Sequence, residues 1–348
     1  MKIILRSGAM TAAVGVGLSL AVLPAGPADA AGGTHVRCND ITGLVNAINQ
    51  ANTSGGRIHL APHCTYTLTT PDNADDGLPE ITGNVTITGR DTTIRRAPNA
   101  TQNFRIFHVT DGGTLSLNSL TLSGGNLTGS NGGAALNEEG TLNLNRTHVK
   151  NNHADMGGGV TNDGGRFDLD RSTFERNSST QWGGGVFNTD GGTMTMEGGA
   201  LVRNRAVNNN GGGLENIDGT ASLNHVSVRG NTALQGGGIR QTLGSTLRLK
   251  STDVRDNIAV TGGGISNNAS TATLVRSLVT HNTAITAGGG IVNENTGQVT
   301  LTASRVIRNT PDNCSPAGSV PGCTNPTGTT TPPASKLPQR SDDTKTRK

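Results

Sequence analysis

Short segments in which apolar and polar residues alternate recur along most of the chain. Their apolar members stand two residues apart, in the pairs Leu142/Leu144, Phe167/Leu169, Met194/Met196, Ala221/Leu223, Leu247/Leu249, Ala272/Leu274 and Val299/Leu301. Alternation with a period of two is typical of β-strands that bury one face. None of these segments has the 3.6-residue period of an amphipathic helix. The pattern therefore predicts many short strands and an all-β fold.

A glycine triplet gives these segments a regular spacing. The triplets are Gly157–Gly159, Gly183–Gly185, Gly211–Gly213, Gly236–Gly238, Gly262–Gly264 and Gly288–Gly290, preceded by a degenerate copy at Asn131-Gly132-Gly133. Successive copies begin 26, 26, 28, 25, 26 and 26 residues apart. A regular period of this length is typical of a solenoid, and glycine triplets would break the helices of a helical one. We therefore predict a parallel β-helix with coils of about 26 residues.

Two sets of amides recur in step with the triplets. One set follows the triplets and consists of Asn137, Asn162, Asn188, Asn216, Gln241, Asn267 and Asn293. The other set precedes them and consists of Asn152, Asn177, Asn204, Asn231, Asn257, Asn282 and Asn309. In stacked coils each set forms a column whose side chains bond to the next coil. We therefore predict two structural asparagine ladders rather than catalytic groups.

The ends of the chain differ from the repeats. Residues 1–30 have the charged start, apolar run and Ala-Asp-Ala cleavage site of a secretory signal peptide. The alternative, an N-terminal membrane anchor, is disfavoured by that cleavage site and by the short apolar run. The predicted organisation of the rest is an N-terminal cap over 31–56 with a helix over 40–51, the β-helix over 57–310, a disulfide-closed loop over 311–324 and a disordered basic tail over 325–348.

The four cysteines indicate two disulfides in a secreted chain. Three pairings are open to four cysteines. Coils stacked about 4.8 Å apart would separate the two ends of the β-helix by on the order of 45–50 Å, whereas bridged Cα atoms lie within about 7 Å of each other. We therefore predict the local pairs Cys38–Cys64 and Cys314–Cys323.

The charge of the chain excludes one class of partner. The 28 Lys and Arg residues exceed the 25 Asp and Glu residues by three, but this excess lies in the first 30 residues and in the tail. The nearly neutral body lacks the basic composition of a nucleic-acid-binding protein. No later segment is long and apolar enough to span a bilayer. We therefore expect a secreted, extracellular chain without a transmembrane segment once mature, and its oligomeric state stays open.

The repeat motifs resemble those of known families. Gly132-Gly133-Ala134, the Gly-Gly-Gly-Ile/Val/Leu variants, and Phe174-Glu175-Arg176-Asn177 with its Val-x-x-Asn variants resemble the repeats of chlamydial polymorphic outer membrane proteins. They also resemble those of secreted bacterial right-handed parallel β-helix proteins, the pectate-lyase-like superfamily. The resemblance covers about residues 36–310 and implies a right-handed parallel β-helix. It implies functions that range from adhesins to polysaccharide lyases and hydrolases.

One group of charged residues is a candidate catalytic site. Asp170 and Glu197 occupy equivalent positions on neighbouring coils, so they would lie about 5 Å apart. With Asp168 and Arg171 they offer the paired carboxylates of a hydrolase, or the base and carboxylates of a Ca²⁺-dependent lyase. The alternative is a solvated strand face with interleaved charges.

A second group is a candidate ligand-binding site. Trp182 and Phe187 are expected to be exposed, and Glu215 and Arg240 follow Phe187 on the next two coils. An exposed aromatic ring beside polar groups is a typical platform for stacking a sugar. The alternative is local packing under a turn. No histidines have the spacing of a metal site, so none is predicted.

These observations favour a secreted β-helix that binds extracellular polysaccharide or cell-surface material, without evident catalysis and without a cofactor. One alternative is a polysaccharide lyase or glycoside hydrolase, with Ca²⁺ in the case of a lyase. Another alternative is a protein-binding or inhibitory scaffold.

Overall fold

The computed structural model describes residues 33–327 and residue 337. The predicted signal peptide over 1–30 and most of the predicted tail over 325–348 lie outside the described residues. The predicted all-β parallel β-helix is confirmed: the described residues form about ten turns of short strands and one helix. Every pairing between these strands is parallel, so each coil hydrogen-bonds to the coils before and after it.

Sheet 1 contains two strands from most coils, separated by a sharp corner. Its first row consists of Thr34–Val36, Gly56–Leu60, Asn84–Arg96, Thr114–Ser123, Thr141–Asn145, Arg166–Asp170, Thr193–Glu197, Thr220–Asn224, Thr246–Lys250, Thr271–Val275 and Gln298–Thr302. Its second row consists of Thr65–Leu68, His148–Lys150, Thr173–Glu175, Ala200–Val202, Ser227–Arg229, Asp253–Arg255, Leu278–Thr280 and Arg305–Ile307. The long strands Asn84–Arg96 and Thr114–Ser123 pass through both rows.

Two further sheets complete the coil. Sheet 2 consists of Phe107–Val109, Ala135–Glu138, Val160–Asp163, Val186–Thr189, Leu214–Ile217, Ile239–Thr242, Ile265–Asn268, Ile291–Glu294 and Cys314–Ser315. Sheet 3 is made of two pieces. The first consists of Asn126–Asn131, His153–Met156, Ser178–Ser179 and Arg205–Ala206. The second consists of Ile258–Thr261 and Thr283–Ala287. Bridges through Thr232 join the two pieces.

The core is built from columns of apolar side chains in register. Phe167 pairs with Leu142 on one side and with Met194 on the other, and all three are fully buried. Most strands contribute alternate residues to such columns, because the side chains of a strand point to its two faces in turn. The interior of the β-helix therefore follows directly from the alternation in the sequence.

Both predicted amide columns are present. In the column that precedes the triplets, the side-chain oxygen of Asn204 accepts from the backbone N–H of Asn177 at 3.0 Å and from its side-chain amide at 3.1 Å. Asn231 accepts from Asn204 in the same way at 2.8 and 3.1 Å. The column that follows the triplets is interrupted, because no side-chain hydrogen bond joins Asn216 to Gln241 among the described residues.

The N-terminal end of the solenoid is covered by the helix Ile41–Ser54. Asp40 caps the helix by accepting the backbone N–H of Gly43 at 2.8 Å. The buried face of the helix consists of Leu44, Ala47, Ile48 and Ala51. The helix extends three residues beyond the predicted end at Ala51. It ends where Gly55, at a φ of 70°, donates its backbone N–H to Ala51.

Disulfides lie near both ends of the described chain. Cys38 is bonded to Cys64 with Cα atoms 5.6 Å apart, and Cys314 to Cys323 with Cα atoms 6.4 Å apart. In the described residues no helix is long and apolar enough to cross a membrane.

On several coils the segment that precedes the glycine triplet folds over the outer face of sheet 2. Outward-pointing residues of this sheet are consequently buried, among them Thr161, Ser266 and Val292. The first glycine of a triplet lies directly above them. A Cβ added to Gly211 would lie 2.6 Å from the Cβ of Glu215. This cover distinguishes sheet 2 from sheet 1, whose outer face is open.

Candidate functional site

The predicted catalytic residues lie on the outer face of sheet 1. Asp170 and Glu197 are register partners on neighbouring coils. Asp168 points to the same face from the same strand as Asp170, and the exposed Arg171 follows at the corner between the two rows. The structure thus brings all four residues to one face, as their spacing indicates.

The charges of this group are engaged with neighbouring side chains. Arg166 Nε lies 2.5 Å from Asp168 Oδ2, and Arg171 Nη2 lies 2.6 Å from Asp170 Oδ2. The Asp170 carboxylate also accepts from Asn145 at 3.0 Å, and Glu197 accepts from Asn224 at 2.6 Å. On these coils, ion pairs and amide contacts therefore run along the face and neutralise much of its charge.

The later coils present a different surface. Residues 225–310 contain eight Lys and Arg residues against three Asp and Glu residues. Seven of the eight define what we call the basic surface, on and beside the outer face of sheet 1: Arg229, Arg248, Lys250, Arg255, Arg276, Arg305 and Arg308. Among the described residues, Arg255 alone of these seven forms an ion pair with a carboxylate, to Asp256 at 2.7 Å.

Like charges are stacked within the basic surface. Arg229 and Arg255 are register partners on adjacent coils, and Arg248 and Lys250 lie two residues apart on one strand. Like charges directly opposite each other on a sheet are destabilising. An anion that bound here would relieve this repulsion.

The predicted aromatic platform is not formed. Phe187 is 5% exposed, because it belongs to the covered outer column of sheet 2. The ring centroid of Trp182 lies 6.0 Å from that of Phe187, and Trp182 is half-buried in the covering segment. The expectation that both rings are exposed is wrong. The two rings pack locally under a turn, which is the alternative considered from the sequence.

Glu215 and Arg240 belong to the same covered column. They are register partners, and Arg240 Nη1 lies 2.6 Å from Glu215 Oε1. The Glu215 side chain is fully buried, whereas 12% of the Arg240 side chain is exposed. Burial raises the pKa of Glu215 to about 7, against the attraction of Arg240. Glu215 is therefore an interior group and contributes no surface to a ligand.

One group that the sequence did not reveal has the donors for a metal ion. Asp76, Glu80 and His108 each offer one ligand atom, and these atoms lie within 4.8 Å of one another. Asp76 and Glu80 lie in the loop before Asn84, and His108 lies in the first strand of sheet 2. No local spacing in the sequence signals this set, because the contact is made by the loop folding against the sheet.

The chain matches no protein-family model and no curated protein sequence. Two solved structures align with most of the chain at low similarity. One is the A-module of mannuronan C-5 epimerase AlgE4 from Azotobacter vinelandii, at 12% identity and a TM-score of 0.35 over 78% of this chain and 94% of that chain. The other is pectate lyase Pel9A, at 12% identity and a TM-score of 0.35 over 74% of this chain and 72% of that chain.

Proposed function

We propose that this protein is extracellular and binds an anionic polysaccharide along the basic surface. The observation that carries the proposal is the contrast, on the outer face of sheet 1, between the coils around Asp168 and Asp170 and the coils of the basic surface. The charges around Asp168 and Asp170 are paired with neighbouring arginines. Six of the seven cations of the basic surface have no carboxylate partner among the described residues. A polymer with regularly spaced carboxylate or sulfate groups would supply those partners.

The neutral side chains of the same face suit a carbohydrate. Thr220, Thr246 and Thr271 are register partners on successive coils, and all three are exposed. Their hydroxyl groups repeat about every 4.8 Å along the sheet. Each hydroxyl both donates and accepts hydrogen bonds, as sugar hydroxyl groups do. An extended chain of sugars could therefore contact several coils at once.

The two disulfides support an oxidising compartment. Disulfides persist in secreted proteins and are rare in the cytosol, and all four cysteines of the chain are bonded. We therefore include secretion, directed by residues 1–30, in the proposal. Secretion is tested by expressing the full chain with its natural N-terminus and locating the product in the medium or in the cell.

The binding proposal is tested with a pair of double variants that carry the same change in net charge. Arg229→Ser/Arg248→Ser removes two cations of the basic surface that have no carboxylate partner among the described residues, whereas Arg166→Ser/Arg176→Ser removes two that are paired with Asp168 and Glu175. We expect the first variant to lose about tenfold in affinity for polygalacturonate or a sulfated glycan, a loss of about 1.4 kcal/mol. The second should lose much less.

Two results would contradict the proposal. Equal losses in both double variants would show that only net charge matters, and equal binding of neutral and anionic glycans would remove the role of charge altogether. Binding should also weaken as salt is raised from 0.05 to 0.5 M, since exposed charges are screened. Isothermal titration calorimetry measures all of these affinities.

A polysaccharide lyase or glycoside hydrolase is the second candidate. The register pairing of Asp170 with Glu197 favours it, because it places two carboxylates on neighbouring coils. Turnover is measured as new reducing ends or as absorbance of unsaturated products, with and without Ca²⁺. Activity that Asp170→Asn abolishes in a folded protein would establish the enzyme. Absence of turnover across a panel of glycans would leave the binding function alone.

A further inference from the structure

A cluster of charged side chains surrounds His108 at the start of sheet 2. The loop before Asn84 lies beside the strand Phe107–Val109 through a parallel bridge between Ile81 and Val109. The backbone N–H of Ile81 donates to the carbonyl of His108 at 2.8 Å. This pairing brings Glu80 next to the His108 side chain. The cluster therefore depends on backbone pairing and not on side-chain contacts alone.

One imidazole nitrogen of His108 faces two carboxylates. Nδ1 lies 3.4 Å from Asp76 Oδ2 and 3.8 Å from Glu80 Oε1. Both distances exceed the 2.7–3.2 Å of an ordinary hydrogen bond, which is about the range for N–H to oxygen. They are close to the separation of about 3.3–3.6 Å between two ligands bound tetrahedrally to one Zn²⁺ ion. Two of the three separations are thus close to those around a shared cation, and all three ligand atoms lie within 4.8 Å of one another.

The other imidazole nitrogen has a partner of its own. Nε2 of His108 lies 3.1 Å from Oε2 of Glu138. Histidines that bind metals usually donate their second ring N–H to a carboxylate, which fixes the tautomer. In the tautomer with the proton on Nε2, which Glu138 accepts, Nδ1 directs its lone pair at Asp76 and Glu80. A lone pair facing two carboxylates is unfavourable unless a cation lies between them.

Asp76 is held rigidly for this role. Its side chain is 3% exposed, and its Oδ1 lies 2.8 Å from Nε of Arg105. Arg105 is itself buried and donates to the carbonyl of Asn131 at 3.1 Å. Because Oδ1 is engaged by Arg105, Oδ2 is directed towards His108. A fixed carboxylate oxygen of this kind loses little freedom when it binds an ion.

We propose that Asp76, Glu80 and His108 form a binding site for one divalent first-row transition metal ion, with Zn²⁺ the best match. An imidazole nitrogen and carboxylate oxygens are ligand types that Zn²⁺ binds, and three protein ligands leave the fourth tetrahedral position for water. Ca²⁺ fits less well, because it requires six to eight oxygen ligands. The Glu80 and Glu138 side chains are 48% and 55% exposed, so the ion has a path from solvent.

The proposal is tested by titrating the mature chain with ZnCl₂ at pH 7.5, followed by calorimetry and by thermal unfolding. We expect one Zn²⁺ ion per chain and a rise in the unfolding temperature. His108→Asn and Glu80→Gln should each weaken Zn²⁺ binding by about 100-fold or more. Glu138→Gln, which changes a positioning residue, should weaken it by about 10–100-fold and leave the unfolding temperature of the metal-free protein unchanged.

Two control variants separate this site from other zinc ligands. Glu139→Gln changes an exposed neighbour of Glu138 outside the site, and His59→Gln changes a histidine stacked on His35. Neither should alter the affinity for Zn²⁺. Glu80→Gln keeps the test decisive if His108→Asn fails to fold, because Glu80 is largely exposed and its loss leaves the core intact.

Several results would overturn the proposal. Binding that survives both Glu80→Gln and His108→Asn, or that is lost in His59→Gln, would place the ion elsewhere. Tighter binding of Ca²⁺ than of Zn²⁺ would contradict the ligand chemistry. Absence of stoichiometric Zn²⁺ binding would show that a proton is the only cation held there, since the neighbouring carboxylates, against the effect of burial, raise the pKa of His108.

Discussion

Glu215 shows how the surroundings of a single residue change its chemistry. Its carboxyl group is completely enclosed by the segment that covers sheet 2, and this burial raises its pKa from 4.5 to about 7 although Arg240 lies 2.6 Å away. The native state therefore holds this proton more tightly than the unfolded chain does. Protonation of Glu215 and folding of the protein are consequently linked.

The link predicts a dependence of stability on pH. Below pH 4.5 Glu215 is protonated in both states. Between pH 4.5 and about 7 the unfolded chain loses the proton first, so the free energy of unfolding should fall by about 3 kcal/mol as pH rises. Above that range Glu215 should contribute no further change. Chemical denaturation at pH 4.5, 6 and 7.5 measures the effect.

The matched variant is Glu215→Gln, which keeps the shape of the side chain and cannot titrate. The dependence of its free energy of unfolding on pH should lack the contribution of Glu215. Asp163 acts in the same direction, because burial and a hydrogen bond with Asp190 raise its pKa to about 6. The difference between wild type and variant is therefore the quantity to compare. Parallel curves for the two proteins would show that Glu215 does not titrate differently on folding.

Residue environments were only partly predictable from the sequence. The column containing Asn204 follows from spacing alone, because its members recur at nearly constant intervals and lie in register. The burial of Phe187 and Glu215 does not follow from the spacing of residues. Alternation places both on the outer side of a strand, and the irregular segment that covers them has no pattern to reveal it. The cluster around His108 was missed because Asp76, Glu80 and His108 meet only through tertiary contact.

At the scale of elements, the glycine triplet determines how closely neighbouring coils approach. The middle glycine Gly237 lies against the next coil, where an added Cβ would be 2.5 Å from the carbonyl oxygen of Ile258 and 2.6 Å from that of Gly263. Both contacts are with backbone, which cannot move aside as a side chain can. A side chain at this position would therefore push the coils apart.

This geometry predicts unequal costs for two glycine-to-alanine substitutions. Gly237→Ala should lower the free energy of unfolding by about 3 kcal/mol through overpacking. Gly244 has a φ of +79° and nothing within 4 Å of an added Cβ, so Gly244→Ala should cost only about 1 kcal/mol of backbone strain. Urea denaturation of both variants measures the difference. Equal costs would mean that the contact between coils at Gly237 is no more costly than the backbone strain at Gly244.

Strands were predictable where alternation is regular, and the helix was predictable from its cap and apolar face. The strands of sheet 3 were less predictable from the sequence, because several contain only two residues, as at Ser178–Ser179. The end of the helix was placed three residues early, since Asn52 to Ser54 carry no pattern that distinguishes helix from turn. Such short or polar segments take their conformation from the coils on which they stack.

At the scale of the whole described solenoid, the last coil needs a cover because it has no successor. Asn313 continues the asparagine column and donates to the carbonyl of Thr324 at 2.7 Å. Asn325 accepts the backbone N–H groups of Asn313 and Cys314 at 3.0 and 2.9 Å. The disulfide between Cys314 and Cys323 closes the loop that joins Asn313 to Thr324 and Asn325, and so holds these residues close together.

Loss of this disulfide should therefore act locally. We predict that Cys314→Ala/Cys323→Ala lowers the free energy of unfolding by about 2–3 kcal/mol. Hydrogen exchange should become faster first in Ile291–Glu294 and Arg305–Ile307, while Thr141–Asn145 keeps its protection, because each coil contacts only its neighbours. Exchange that accelerates equally in all coils would show instead that the solenoid unfolds as one cooperative unit.

The contact between each middle glycine and the backbone of the following coil restricts how such a chain can change its length. Excising one complete period, such as residues 236–261, brings the triplet that begins at Gly262 into the place of the triplet that begins at Gly236, and duplicating the period repeats that triplet. Both changes keep every column in phase. An insertion of half a period would put a bulky side chain where only hydrogen fits. Chains of this kind are thus expected to grow or shrink by whole periods, and each added period would extend the surface available to a polymer by the same increment.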